Sequence, residues 1–84
     1  MNEKEARDIL KEEQLTNFNL FENRNLRENE TIIKKRNDNT WNVFVTSEKG
    51  NPEGLKIYSD KNVALDDFVE RLRADKRLRE YFKA

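Results

Sequence analysis

The 84 residues contain no histidine and no cysteine, so the side chains able to do chemistry are carboxylates, lysines, arginines and two tyrosines. Their absence removes the commonest general base, every Ser/His or Cys/His nucleophile pair and the usual zinc sites. The tightest acidic cluster is Asp66, Asp67 and Glu70. On a helix Asp66 and Glu70 share a face while Asp67 points about 100° away, so these acids read as first-turn complements of the helix dipole and not as metal ligands. Gly50 and Gly54 flank Pro52, and no Gly-Lys-Ser/Thr follows, which excludes a phosphate loop. The sequence predicts no catalytic residue, no cofactor and no metal site: a protein that binds and not an enzyme.

Two surfaces are candidates for binding. The first is acidic: Glu12 and Glu13 of an N-terminal helix, with Asp67 and Glu70 on the exposed side of a C-terminal one, would attract a basic partner. The competing reading of the first helix's charges is a solvated outer face. The second is a sheet face on which Phe44 and Tyr58 stand with Lys56 and either Lys34 or Lys35. Aromatics interleaved with cations stack single-stranded nucleic acid. Against it, Phe44 would be covered by the N-terminal helix or the Phe18/Phe21 segment, because small sheets need covering. Charge also argues against nucleic acid: 17 basic residues balance 17 acidic ones, and the pI is about 6.3. The asymmetry is mild, with five basic and eight acidic residues up to Glu30 and twelve and nine after it.

These residues have to be positioned by a small α+β domain. Good helix formers run from Glu3 to Gln14, with Ala6, Ile9, Leu10 and Glu13 on one stripe and Asn2 as N-cap. Phe18 and Leu20 keep a period of two that fits a short extended segment or a final irregular turn equally well, and the polar run Asn23–Glu30 is a connection that could hold an edge strand. Thr31–Arg36 and Thr40–Thr46 are strands joined by Asn37-Asp38-Asn39, a turn sequence. An even loop would set Arg36 opposite Trp41; a three-residue loop would set Lys35 opposite Trp41 and Ile33 opposite Val43. After the Gly/Pro-rich stretch Ser47–Gly54, Leu55–Tyr58 alternates again, with Leu55 and Ile57 expected on the Trp41 face. Asp60 or Asn62 then caps a helix whose Leu65, Phe68, Val69 and Leu72 form a stripe, while Leu78, Tyr81 and Phe82 repeat the spacing out of phase. Asp75 could cap a separate helix there. The expected fold is α+β: an N-terminal helix, an antiparallel β-meander of three strands or four, and a C-terminal helix packed on one sheet face.

Residues 1–84 make one domain, too short for two cores. Leu, Ile, Val and Phe number 21, which gives a thin core for which a weak homodimer is as acceptable as a monomer. The charged start and the lack of any long apolar run predict a cytoplasmic chain with no membrane segment.

Several runs carry a resemblance: Leu20-Phe21-Glu22-Asn23-Arg24, Asn29-Glu30, Trp41-Asn42-Val43, Thr46-Ser47-Glu48-Lys49-Gly50, and Ala64 through Arg73. Together they resemble small bacterial immunity proteins that accompany polymorphic toxins, the nearest group being immunity protein 59. The resemblance spans roughly residues 15 to 73, and its motifs are mostly fold positions. It implies a non-enzymatic inhibitor that binds one cognate toxin domain inside the producing cell. The other classes to weigh are a small nucleic-acid-binding or regulatory module and a subunit of a larger assembly.

Overall fold

Asn2 starts the first helix, α1 (Glu3–Glu12), through a reciprocal cap. Its Oδ1 accepts the Glu5 N–H at 2.8 Å, and the Glu5 carboxylate accepts the Asn2 N–H at 3.0 Å, in the computed structural model, which describes residues 1–83. The helix stops two residues before Gln14, which takes a left-handed conformation with φ 53°. The Leu15 N–H then reaches the Leu10 carbonyl at 2.9 Å and the Gln14 N–H the Lys11 carbonyl at 3.3 Å. This pattern satisfies carbonyls the helix end leaves open and turns the buried Leu15 back onto Leu10.

Four strands follow: β1 (Phe18–Leu20), β2 (Thr31–Lys35), β3 (Trp41–Thr46) and β4 (Pro52–Tyr58), arranged in that order. β2, β3 and β4 form the expected antiparallel meander, but β1 lies parallel to β2, so the sheet is mixed and not purely antiparallel. The physical reason is the polar run after Leu20, which doubles back across the sheet where a hairpin would have turned. Between β2 and β3 the three-residue loop is realised. Arg36 N–H bonds the Thr40 carbonyl at 2.7 Å, Asn39 sits at φ 63°, and Lys35 faces Trp41 with Ile33 facing Val43.

Opposed residues of an antiparallel pair share a face. Trp41 faces Tyr58 and Val43 faces Lys56, and β4 accommodates one extra residue between the partners of Val43 and Val45. Tyr58 and Lys56 therefore stand on the Trp41 side, while Leu55 and Ile57 stand on the Phe44 side and are 54% and 51% exposed. This reverses the expectation for β4. Tyr58 takes the inner position because its ring packs on the core while its hydroxyl reaches Asp67 at 2.6 Å.

The second helix, α2 (Lys61–Phe82), is capped by Asp60, whose carboxylate accepts the Asn62 and Val63 N–H groups, and it runs unbroken past Asp75. Ala64, Leu65, Phe68, Val69 and Leu72 are buried with Leu20, Ile33 and Val43 of the sheet and Ala6, Leu10 and Leu15 from the N-terminal region. Phe18 meets Phe68 edge to face at 6.2 Å. At about 1.5 Å per residue the helix outruns the sheet, and Leu78, Tyr81 and Phe82 stand exposed. The phase shift in the sequence marks where the core ends.

The other sheet face also buries Ile32 and Phe44, though both helices pack elsewhere. Its cover is the segment 21–30, anchored by outward-facing side chains. Asn19 Oδ1 accepts the Glu22 N–H at 2.7 Å, and Thr46 Oγ1 donates to the Arg27 carbonyl at 2.6 Å while accepting the Glu30 N–H at 2.9 Å. Phe44 is therefore covered by this crossing segment, whereas the N-terminal helix and the rings of Phe18 and Phe21 pack with the core on the other face. Truncating Phe68 to alanine should cost about 3–5 kcal/mol of stability, and Leu78→Ala should stay within about 0.5 kcal/mol of the parent; urea unfolding measures both.

Candidate partner-binding surfaces

The most enclosed charges hold the crossing segment. Arg24 forks onto Glu30, with Nη2 to Oε2 at 2.8 Å and Nη1 to Oε1 at 3.1 Å, and also donates to the Phe18 carbonyl at 3.2 Å. The Glu30 side chain is 3% exposed and takes a further bond from the Arg27 N–H at 2.8 Å. Burial alone would raise its carboxyl pKa. The Arg24 guanidinium and the Arg27 N–H outweigh that and hold it below the ordinary glutamate value. These residues were not singled out by spacing, since partners six residues apart in an irregular segment follow neither helix nor strand periodicity.

The four acidic residues expected at a partner surface are not brought together. Asp67 turns inward, where burial would raise its pKa, but Arg71 at 3.0 Å and the Tyr58 hydroxyl lower it on balance. The same bond raises the Tyr58 pKa, because the phenol proton is held by the carboxylate. Glu13 lies on the α2-facing side of α1, bound to Arg73 at 2.6 and 2.9 Å, and that contact keeps its carboxyl low. Glu70 pairs with the same Arg73 at 3.2 Å. Glu12 alone of the four makes no ion pair among the described residues. Glu13 ties α1 to α2 and Asp67 ties α2 to Tyr58 of β4, so the four acids do not form one negative face.

The aromatic and basic sheet face is likewise divided. Phe44 is 4% exposed on the outer side with Lys34 Nζ 5.7 Å from its ring centre, while Tyr58 and Lys56 lie on the helix side. No pair of aromatic rings is presented there for stacking bases. Asp66, grouped with Asp67 and Glu70 by sequence, salt-bridges the Met1 ammonium at 2.5 Å, and no group of three acidic side chains converges on a metal position among the described residues. No helix among them is long and apolar enough to cross a membrane.

What the surface does present is apolar. Leu55 and Ile57 stand out from edge strand β4, and Leu78, Tyr81 and Phe82, each more than half exposed, follow the free end of α2. No family model, curated protein or solved structure matches the chain.

Thr46→Val would leave the Glu30 N–H and the Arg27 carbonyl without their buried partner and should cost about 1–3 kcal/mol, read by urea unfolding. The lowered folded pKa of Glu30 means its ionised form favours folding above the ordinary glutamate range, and that contribution is lost as pH falls through the folded value. Glu30→Gln should accordingly lower stability at neutral pH and flatten the acid limb of the stability profile, measured by unfolding from pH 7 down to pH 3.

Proposed function

We propose that this chain is a non-enzymatic bacterial immunity protein that binds a cognate toxin domain in the cytoplasm and neutralises it by occlusion or distortion. The observation that carries the reading is the pairing of a braced small domain with large apolar side chains held in solvent at Leu55, Ile57, Leu78, Tyr81 and Phe82. A rigid domain loses little conformational entropy when it binds, so exposed apolar groups on it convert efficiently into affinity. Residues of the resembling motifs build the brace: Leu20 enters the core, Arg24 and Glu30 lock the crossing, and Thr46 fastens it to β3. Their role in holding the fold supports reading the resemblance as one of architecture.

The test is co-expression with the toxin domain encoded next to this gene. Restored growth and a 1:1 complex on size exclusion are expected. Continued growth arrest with no complex would overturn the proposal.

A further inference from the structure

The outer sheet face is covered on one half only. Segment 21–30 lies over Ile32 and Phe44, but the apolar surface continues across β4 to Leu55 and Ile57, which remain in solvent. Beside them the β2–β3 hairpin forms a shallow groove lined by Lys34, Lys35, Arg36, Asn37, Asp38 and Asn42. Three cations there meet one carboxylate, Asp38, which reaches Arg36 only at 3.7 Å. Asn42 stands on this face opposite Lys34 and Ile57, and its Oδ1 is buried without a hydrogen-bond donor.

Resting on the immunity-protein reading, we infer that this open half-face, Leu55 and Ile57 rimmed by Lys34 and Arg36, is the toxin-docking surface, and that its partner is a protein surface with an apolar centre and an acidic rim. Each part of the site asks for a different complement. The exposed aliphatic pair calls for apolar side chains, and the lysine and arginine call for carboxylates. A second copy of this chain is a poor occupant, because a two-fold pairing would set the same cations against each other. Nucleic acid would satisfy the cations but would leave Leu55 and Ile57 uncovered. The exposed end of α2 is surrounded by internally matched pairs, Asp75 with Arg79 and Lys76 with Glu80, and defines no partner charge.

Two measurements test the surface and its partner separately. In the first, the isotope-labelled full chain is titrated by NMR with a synthetic peptide of alternating Glu and Leu, with its Lys/Leu counterpart, and with a single-stranded oligonucleotide. The acidic peptide should shift the amides of Lys34 to Arg36, Asn42 and Leu55 to Ile57, and Lys34→Glu with Arg36→Glu should weaken it at least about tenfold. Shifts on α1 or α2, equal response to both peptides, or a response to the oligonucleotide alone would overturn the inference. In the second, Leu55→Ser with Ile57→Ser, at exposed positions where folding is retained and checked by circular dichroism, should abolish protection against the adjacent toxin. Protection by the parent and the double variant alike would overturn the docking surface while leaving the immunity function standing. Loss of protection on Glu12→Lys with protection kept in the double variant would move the interface to α1. A parent chain that gives no protection overturns the function, and the titration still decides the surface.

Discussion

Two neighbouring strands that run parallel must be joined by chain that returns across the sheet, and here residues 21–30 do so without a helix. An irregular crossing has no ladder of its own to satisfy its polar groups, so its side chains must. The Arg24–Glu30 fork and the bonds of Thr46 and Asn19 supply that replacement. Phe21 marks the strain of the turn: its φ is 59°, unusual for a bulky residue, while its N–H still bonds the Ile33 carbonyl at 3.1 Å. Once fixed, the crossing covers the Ile32 and Phe44 half of one sheet face, and both helices pack on the other face. The two-sided burial of β2, where Ile32 and Ile33 are both fully enclosed, follows from that division.

Much of this was legible where one residue type has one physical use. Asn2 and Asp60 announce helix starts because their side chains cap N–H groups, and the Leu65/Phe68/Val69/Leu72 stripe can be buried on only one side. The hairpin register was not legible, because Asn37-Asp38-Asn39 suits either loop parity and the left-handed Asn39 decides it. The inward face of β4 is ambiguous in the sequence for a related reason. Leu55/Ile57 and Lys56/Tyr58 each offer apolar surface, and only the pairing of Trp41 with Tyr58 shows which set faces inward. β1 is three residues long, enough to show a period of two at Phe18 and Leu20 but too short to separate a strand from a turn or to show that it pairs parallel to β2.

The same limit governs the charges. Acidic residues look like a surface when counted along a helix, yet Glu13 and Glu70 converge on one arginine and Asp67 on another. A chain with 40% charged residues has so many possible partners that sequence spacing alone cannot assign them. The exposed apolar residues were more informative, because nothing in the fold neutralises them.

The overhang of α2 has a thermodynamic meaning of its own. Its first three turns are fastened to the sheet, whereas the turns carrying Leu78, Tyr81 and Phe82 rest on helix hydrogen bonds, side-chain pairs such as Asp75 with Arg79, and the Lys76 contact to the Glu13 carbonyl. Helix held mainly by local interactions opens at a small fraction of the global unfolding free energy. One continuous helix thus has an inner unit held by tertiary packing and an outer unit held mainly by local contacts, with the last side-chain ties to Glu13 at Arg73 and Lys76. Its outer unit can fray and reform without disturbing the core.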